Sequence, residues 1–334
     1  MKVLVIRFSS IGDIVLTTPV VRVLKSQLGA EVHYFTKKGY TSLLENNPYI
    51  DKVWGLEDSL SSVLDALKKE QFDYIIDLHN NLRTRIVKWK LGVQNYSFDK
   101  LNWQKWIMVR FKINRLPNKH IVDRYLETLK PLGGKEDALG LDYFIPEKDE
   151  VPIDWLPETH QKGYLVYAIG GQHDTKKLPL SRMIELCDKM NRSIVLIGGK
   201  EDLENGQQIA QVFEKRLENA PYEEGLQQLG KKTIIFNGCG KFNLNQSASI
   251  IRQSMAVFTH DTGMMHVAAA FKKQVYSIWG NTIPEFGMYP YKTQFTVFER
   301  QNLSCRPCSK IGYNKCPKGH FDCMNKISFD FYMP

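Results

Sequence analysis

The first half of the chain alternates short apolar runs with stretches of helical periodicity. The apolar runs predict β-strands at Lys2–Arg7, Val32–Thr36 and Tyr74–Leu78. Between them, Ile14–Leu28 and Ser59–Lys69 repeat apolar positions at helical spacing and predict helices. Strands that alternate with helices build βαβ units, in which the strands run parallel. We therefore expect a parallel sheet covered by helices.

The same pattern restarts after a segment of different composition. Residues 147–161 combine prolines with many charges, which is typical of a linker. Further strands are then predicted at Tyr164–Ile169, Ile194–Ile197, Thr233–Phe236, Ala256–Thr259 and Val275–Ile278. The sequence thus predicts two α/β domains, residues 1–150 and 151–334, and leaves open whether the last residues pack back on the first domain. We expect the ligand in the cleft between the domains, outside the carboxyl ends of the strands.

Composition agrees with two folded domains. The chain has 334 residues, of which 43% are hydrophobic and 24% are charged, as in ordinary globular proteins. No apolar run reaches the roughly 18 residues of a transmembrane helix. Arg7 interrupts the first apolar stretch too early for a secretory signal. We therefore expect a cytoplasmic protein.

The net charge of +9 arises from one part of the chain. Residues 80–120, here called the basic segment, contain ten basic residues and one acidic residue, whereas the two signs balance elsewhere. The aromatic residues interleaved with this segment are Trp89, Phe98, Trp103, Trp106 and Phe111. This mixture suits an anionic membrane surface, a phosphorylated ligand or a nucleic acid. A solvated helix face with a few core aromatic residues is the simpler alternative.

Four of the six cysteines lie close together in the sequence. They are Cys305, Cys308, Cys316 and Cys323. In a reducing compartment such a cluster indicates zinc ligation or buried thiols, and we favour thiols because the last two cysteines are not a Cys-x-x-Cys pair. With His320 the cluster also suits the zinc module of a nucleic-acid-binding protein. The basic segment lies far from it in sequence, however, and no nucleic-acid module is recognisable.

The turn after the first predicted strand carries a candidate catalytic carboxylate. Residues Ser9 to Asp13 form a short, glycine-containing turn that runs into a predicted helix. Such a turn places backbone N–H groups and the carboxylate at the carboxyl edge of the sheet, although Asp13 could equally cap the helix. The chain contains neither the dinucleotide fingerprint Gly-x-Gly-x-x-Gly nor a P-loop.

A second turn precedes a predicted alanine-rich helix. Residues His260 to His266 read His-Asp-Thr-Gly-Met-Met-His. A helix N-terminus presents free N–H groups and a positive dipole end, which suits a phosphate, and His266 on the first turn can reach the same group. A capped helix with a structural histidine is the alternative. The loop Lys176–Pro179 follows another predicted strand and can direct a lysine at the same ligand.

Taken together, these stretches resemble glycosyltransferase family 9, the ADP-heptose:lipopolysaccharide heptosyltransferases, which have the GT-B fold of two Rossmann-like domains. The resemblance spans nearly the whole chain. It rests on residues 2–13, residues 77–83, Lys176 with Pro179, Asn237 with Gly240, and residues 261–269. One departure is Leu178, which stands where the family usually has tryptophan, so the packing of that loop differs.

The resemblance implies a role for each matching position. Asp13 is implied as the general base, and Asp261 as the carboxylate that holds sugar hydroxyls. The implied acceptor-binding residues are Ser10, Gly12, Asn81 and Arg83. The other implied donor-binding residues are Lys176 near the phosphates; Thr262, Gly263, Met264 and Met265 around the pyrophosphate, with His266; and Gly198, Gly240 and Leu244 near the adenine.

The implied activity is inverting transfer of a heptose or related sugar from an ADP-sugar to a lipopolysaccharide core or lipid-linked acceptor. It requires no metal and no other cofactor. The general base works best with a pKa raised toward the working pH. The implied partners are the nucleotide sugar and an anionic glycolipid at the cytoplasmic face of the inner membrane, contacted peripherally, and no nucleic acid. The alternatives are the nucleic-acid-binding protein with a zinc module and another GT-B enzyme, such as a sugar-nucleotide epimerase.

Overall fold

Parallel β-sheets form the centre of both units of the chain. The computed structural model describes residues 1–218 and 233–332. The first unit comprises Met1–Asn102 and Pro117–Pro146, and the second comprises Trp103–Leu116 and the chain from Glu147 onward. The stretch Trp103–Leu116 therefore belongs to the second unit, although the residues before and after it in sequence belong to the first.

The sheet of the first unit has the strand order β3-β2-β1-β4-β5, and every pairing is parallel. The strands are β1 (Lys2–Ile6), β2 (Glu31–Lys37), β3 (Lys52–Leu56), β4 (Tyr74–Asp77) and β5 (Gln94–Ser97). The helices up to residue 126 are α1 (Ile11–Val15), α2 (Thr18–Ser26), α3 (Ser61–Lys69), α4 (Leu82–Leu91), α5 (Asn102–Phe111) and α6 (Ile121–Leu126). The central strand β1 is apolar from Val3 to Ile6 because helices cover both faces of a parallel sheet.

The single helix predicted at Ile14–Leu28 is two helices, α1 and α2. Pro19 lies in the first turn of α2 and has no N–H to donate to the carbonyl of Val15. The hydroxyl of Thr18 donates to that carbonyl instead, at 2.8 Å. The chain therefore bends after α1, and the strand-to-helix turn at Asp13 leads into a helix of one turn.

The sheet of the second unit has the strand order β11-β10-β9-β6-β7-β8 and is also parallel throughout. Its strands are β6 (Leu165–Ala168), β7 (Ser193–Ile197), β8 (Ile234–Asn237), β9 (Ala256–His260), β10 (Gln274–Trp279) and β11 (Phe295–Glu299). The helices that follow Glu147 are α7 (Glu158–Gln161), α8 (Leu180–Met190), α9 (Leu203–Glu218), α10 (Leu244–Gln253), α11 (Gly263–Ala270) and α12 (Asp322–Asn325). The α/β prediction is confirmed, and the carboxyl ends of the six strands of this sheet, β6 to β11, lie at one edge.

Strands β3, β5 and β11 were not predicted from the sequence pattern. All three lie at sheet edges, where a strand is less buried and need not be apolar. Strand β5 reads Gln-Asn-Tyr-Ser, which has no apolar run to detect.

Residues 147–161 are not the linker that their composition suggested. The Asp149 carboxylate accepts hydrogen bonds from the side-chain amides of Asn243 and Asn245, each at 2.9 Å. Val151 and Leu156 are buried, and short helical turns occur along the segment. The prolines and charges therefore belong to a folded layer of the second unit.

The last described residues pack on the second unit. Met324 and Phe329 are buried in its core, and Phe331 lies against Phe258 and Tyr276. The sequence left open whether the last residues pack on the first domain. In the structure they pack on the second unit, because their aromatic side chains complete its core.

Candidate active site

Asp13 lies in the first turn of α1, at the carboxyl end of β1. One carboxylate oxygen, Oδ1, is 2.7 Å from Nη2 of Arg7. The other, Oδ2, accepts hydrogen bonds from the backbone N–H and the hydroxyl of Ser10, at 3.1 and 2.9 Å. Ser10 is the N-cap residue and Asp13 is three positions later, so Asp13 supports the start of the helix without being its N-cap.

Arg7 is itself fixed by long-range contacts and is buried. Its Nη1 donates to the carbonyl of Leu78 at 2.6 Å and to the hydroxyl of Tyr125 at 3.1 Å, and its Nε donates to the carbonyl of Ser9 at 2.8 Å. We call Arg7, Ser10, Asp13 and Tyr125 the amino-terminal half-site. Its carboxylate is held by a guanidinium that cannot easily move away.

The pKa of Asp13 is lowered, opposite to the direction that the sequence argument favoured for a base. Burial alone would raise the pKa of this carboxyl, but the Arg7 guanidinium and the two Ser10 hydrogen bonds outweigh burial. Asp13 is therefore ionised across the neutral range. The role of Arg7 could not be predicted from the sequence, because nothing in the pattern shows that its side chain turns back toward Asp13.

The ion pair makes a prediction about stability. A carboxyl whose pKa is lower in the folded state stabilises the protein above its ordinary pKa, and this contribution is lost as the pH falls through the folded-state pKa. Asp13→Asn should therefore lower the melting temperature at pH 7, and the difference from the wild type should shrink toward pH 3. Thermal unfolding at both pH values tests this, and a difference independent of pH would contradict the ion-pair assignment.

The stretch Asp77 to Arg83 forms the turn from β4 into α4. Buried Asp77 accepts hydrogen bonds from the N–H groups of His79 and Asn80, at 3.0 and 2.7 Å. The Asn81 side-chain oxygen accepts the N–H of Thr84 at 3.0 Å and caps α4. Arg83 is exposed in the first turn of the helix. The acceptor-binding roles of Asn81 and Arg83 stay predictions.

Ser10 and Gly12, the other implied acceptor-binding residues, lie in and beside the first turn of α1. Ser10 is partly exposed and hydrogen bonded to Asp13, whereas Gly12 is buried within the helix. Ser10 therefore lies directly beside the Asp13 carboxylate.

Lys176 and Asp261 meet at the carboxyl edge of the second sheet. Lys176 Nζ is 2.6 Å from Asp261 Oδ2 and 3.2 Å from the backbone carbonyl of Asp261. The hydroxyl of Thr282, in the loop after β10, donates to the same Oδ2 at 2.8 Å. Together with Thr262, these residues form what we call the carboxyl-terminal half-site. Thr282 was not predicted from the sequence, because its loop has no recognisable motif.

Helix α11 begins directly beside this carboxylate. Thr262 is its N-cap residue, Gly263 is its first residue, and Met264 and Met265 complete the first turn. A Cβ atom on Gly171, in the loop after β6, would lie 3.2 Å from Cγ2 of Thr262. Glycine at position 171 therefore lets the backbone of the β6 loop approach the N-terminus of α11, a position that suits an anion. The N–H of Met265 already donates to the carbonyl of Thr262 at 3.2 Å.

The residues implied on the adenine side lie in neighbouring loops. The N–H of Gly240 donates to the carbonyl of Gly198 at 3.0 Å, and Leu244 is the first residue of α10. A Cβ atom on Gly198 would lie 2.8 Å from Cβ of Asp202, and one on Gly170 would lie 2.6 Å from Oδ2 of the same residue. The close approach therefore depends on glycine, and the Gly-Gly pairs after β6 and β7 were the signal for it in the sequence.

The two histidines of the second motif are buried and differ in role. His260 Nε2 accepts the N–H of Leu178 at 3.0 Å. Burial and the charge of Lys177 lower the pKa of His260 to about 3, so it is neutral and supports the loop that carries Lys176. Leu178 packs in the core of the unit. His266 is buried on the first turn of α11, and its phosphate contact stays a prediction.

Two further polar side chains lie beside the half-sites. His79 Nδ1 and both side-chain amide atoms of Asn281 are buried and have no hydrogen-bond partner among the described residues. Burial and the charge of Arg7 lower the pKa of His79 to about 4, so it is neutral. Asn281 directly precedes Thr282. Buried polar groups are normally paired, so both side chains are candidates for contact with a ligand.

The cysteine cluster keeps its thiols apart in the part of the chain that the structure describes, and the preference for thiols over zinc stays a prediction. No three of the thiols of Cys305, Cys308, Cys316 and Cys323 lie within 4.8 Å of one another. Cys305 Sγ lies 3.9 Å from Nε2 of His320. Among the described residues, one group of three potential ligands has its ligand atoms within 4.8 Å of one another, namely Glu31, His33 and Glu70. The carboxylates of Glu31 and Glu70 already pair with lysines.

The basic segment is less cationic than its sequence indicates. Lys88 lies 2.9 Å from the buried carboxylate of Asp77, and Lys119 pairs with Glu127. The segment is also divided between the units, because residues 103–116 belong to the second. Among the residues that the structure describes, no helix has the length and apolar character needed to cross a membrane.

The two parallel sheets, with a carboxylate at one strand end and a helix N-terminus beside a lysine at another, are features of a glycosyltransferase of the GT-B fold. Residues 60–317 match glycosyltransferase family 9 (heptosyltransferase), and the chain belongs to this family. Members of this family are glycosyltransferases, so the alternative of a non-enzymatic nucleic-acid-binding protein is wrong.

Individual relatives agree with this assignment. Lipopolysaccharide heptosyltransferase 1 of Campylobacter coli is 23% identical over 312 residues, covering 84% of this chain and 84% of that protein. The crystal structure of a glycosyltransferase family 9 protein from Veillonella parvula has a TM-score of 0.67 at 23% identity, covering 89% of this chain and 85% of that one. E. coli heptosyltransferase WaaC with ADP has a TM-score of 0.61 at 18% identity, covering 89% and 93%. These structures share the fold of this protein.

Proposed function

We propose that the protein transfers a heptose from an ADP-sugar to the core of lipopolysaccharide, with inversion at the anomeric carbon and without a metal ion. The observation that carries this proposal is the cluster of Lys176, Asp261 and Thr282 beside the N-terminus of α11. It offers a carboxylate for sugar hydroxyls and positive charge for a pyrophosphate. The names of the C. coli relative and of WaaC with ADP support the same substrates.

In the proposed reaction, the acceptor hydroxyl attacks C1 of the donor sugar and its proton passes to the Asp13 carboxylate. The bond between C1 and the phosphate oxygen breaks, and ADP leaves with that electron pair. Attack from the face opposite ADP inverts the anomeric carbon. Lys176 and the amides of α11 stabilise the charge that develops on the β-phosphate, and one preorganised donor of this kind contributes about 2.7–4 kcal/mol.

The lowered pKa of Asp13 affects how it acts as a base. The carboxylate is always in the form that accepts a proton, but Arg7 makes it a weaker base than an isolated aspartate. A weak base suits a reaction in which the bond to ADP is largely broken before the proton moves, because the hydroxyl becomes more acidic as it bonds to C1.

The acceptor is proposed to be an anionic glycolipid, reached by peripheral contact at the cytoplasmic face of the inner membrane. The basic segment supports this, because a basic residue close to an anionic surface contributes about 1 kcal/mol. Such a contact weakens as salt shortens the Debye length below about 8 Å.

Transfer assays with a lipopolysaccharide core acceptor test the donor directly. ADP-heptose and a panel of UDP-sugars are compared under the same conditions, with the product identified by mass spectrometry. The proposal expects transfer from ADP-heptose. Transfer or epimerisation of UDP-sugars, with no reaction of ADP-heptose, would assign the protein to another GT-B activity.

Thr282→Val should separate recognition of the sugar from recognition of ADP. Valine keeps the shape of threonine but removes the hydroxyl that donates to Asp261. A hydrogen bond to a charged group contributes about 1.5–3 kcal/mol, so we expect kcat/KM for the sugar donor to fall roughly tenfold or more, with ADP affinity unchanged by calorimetry.

The matched control is Thr293→Val, because the Thr293 hydroxyl donates to the carbonyl of Lys273 at 2.8 Å, at the opposite edge of the sheet. An equal loss of activity in both variants, or a loss of ADP affinity in Thr282→Val, would contradict the proposal that Asp261 binds the sugar.

A further inference from the structure

The residues from Trp103 to Leu116, here called the aromatic segment, expose large apolar side chains. Trp103 is 64% exposed, Trp106 44%, Phe111 55% and Ile113 51%. The segment comprises α5 after its first residue and the chain that follows it, and it belongs to the second unit. An apolar surface of this kind on a folded protein marks an interaction site.

These side chains form a continuous surface. The rings of Trp103 and Trp106 stack with centroids 4.9 Å apart, and the ring of Phe111 lies edge-on to Trp106 at 5.4 Å. Beside them is a shallow pocket of about 460 Å³. Its lining residues are Trp103, Trp106, Ile107, Phe111, Ile113 and Arg115. The aromatic rings are therefore ordered by one another, and a partner would not have to assemble them.

The aromatic segment is fastened to the second unit at its carboxyl-terminal end. Lys112 Nζ donates to the carbonyl of Cys305 at 3.3 Å and to the carbonyl of Pro307. Lys105 Nζ lies 5.9 Å from the ring centroid of Phe286. Ile107 is the residue of α5 whose apolar side chain is buried. The exposed rings thus lie on a helix whose other contacts hold it in place.

The charge of the aromatic segment has one sign. It contains Lys105, Arg110, Lys112 and Arg115 and no acidic residue. Tryptophan beside lysine and arginine is the composition of the interfacial layer of a bilayer, where the rings lie at headgroup depth and the cations meet anionic lipids. A second copy of the same surface would bring like charges together, which disfavours self-association.

We propose that the aromatic segment is an interfacial anchor that inserts its tryptophan rings into the headgroup region of an anionic bilayer. The anchor adds an apolar contribution to the peripheral contact included in the proposed function. Salt does not screen apolar burial. Part of the membrane binding should therefore persist where a purely electrostatic contact has been lost.

The test is co-sedimentation of the full chain with phosphatidylcholine vesicles, with or without phosphatidylglycerol, at low salt and at 1 M salt, where the Debye length is about 3 Å. The variant is Trp103→Ala with Trp106→Ala. We expect its partition coefficient on anionic vesicles to fall about tenfold or more at both salt concentrations, because both rings lose their buried area. Trp155→Ala is the matched control, since Trp155 is 62% exposed in the second unit, outside the aromatic segment.

Arg110→Gln with Arg115→Gln separates charge from insertion. This variant should bind anionic vesicles more weakly than the wild type at low salt, because only the electrostatic part is removed, and bind like the wild type at 1 M salt. Quenching of tryptophan fluorescence by brominated lipids should occur in the wild type and in Trp155→Ala, and should be strongly reduced in the double tryptophan variant. Near-ultraviolet circular dichroism and the melting temperature check that each variant is folded.

The proposal is overturned if the double tryptophan variant binds vesicles like the wild type, or if wild-type binding disappears at 1 M salt. It is also overturned if sedimentation shows a dimer that the tryptophan substitutions dissociate, or if single-stranded RNA binds and vesicles do not. Because the vesicle assay needs neither donor nor acceptor sugar, its result is independent of whether the protein transfers heptose.

Discussion

Asp13→Asn is expected to lower turnover by about 10²–10⁴-fold, the usual contribution of a general base. Asparagine can still accept hydrogen bonds from Ser10, but it cannot take the proton of the acceptor hydroxyl. Affinity for ADP should be unchanged, because the residues proposed to bind ADP all belong to the second unit. The measurements are the turnover number with saturating donor and acceptor, and calorimetry with ADP.

The effect of Asp13→Asn on turnover has to be separated from its effect on stability. Replacing Asp13 leaves Arg7 without its carboxylate, so some loss of stability accompanies the loss of the base. Activity should therefore be compared well below the melting temperature of each variant. Ser10→Ala removes one hydrogen bond to Asp13 while keeping the carboxylate and its ion pair, and it should reduce turnover far less. Turnover of Asp13→Asn within about threefold of the wild type would refute the assignment.

Those parts of the site that lie at strand ends could be predicted from the sequence. Asp13 and Asp261 each follow a buried strand of a parallel sheet, and the carboxyl ends of such strands lie at one edge. Lys176 follows a strand in the same way, and it meets Asp261 directly. The periodicity of the chain therefore locates these side chains, because strand direction alone decides the edge at which they lie.

The partners of those residues depend on contacts between distant parts of the chain. Arg7 reaches Tyr125, 118 positions away, and only this fold turns its guanidinium toward Asp13. Thr282 approaches Asp261 because β9 and β10 are adjacent, which is a matter of strand order. Such contacts have no local pattern, and the direction of the Asp13 pKa shift depends on one of them.

Composition was least informative about the basic segment. Lys88 and Arg110 count equally as charges in the sequence, yet Lys88 pairs with buried Asp77 and Arg110 is exposed. The assignment of residues 103–116 to the second unit was also not predictable, because helix periodicity does not specify which sheet a helix joins. Charge counted along a chain is therefore an upper limit to the charge available to a partner.

Lys176→Met should have the second large effect, a loss of about 10²–10³-fold in turnover together with weaker ADP binding. Methionine keeps most of the length of lysine but removes the cation that lies 2.6 Å from the Asp261 carboxylate. If that cation also stabilises the departing β-phosphate, its loss removes one preorganised group of the kind that contributes on the order of 10²–10³ to rate. The Asp261 charge would then face the pyrophosphate without its lysine, which adds repulsion in the ground state and weakens ADP binding.

Lys177→Met is the matched control for this experiment. Lys177 is the next residue along the chain, but it lies 3.0 Å from Asp174 and 3.8 Å from Asp202, not beside Asp261. Removing one positive charge from the same loop should therefore affect ADP affinity much less at position 177 than at 176. Equal losses at both positions would mean that the loop attracts the nucleotide by its overall charge. Unchanged ADP affinity in Lys176→Met would mean that Lys176 orients the Asp261 carboxylate and does not contact the phosphates.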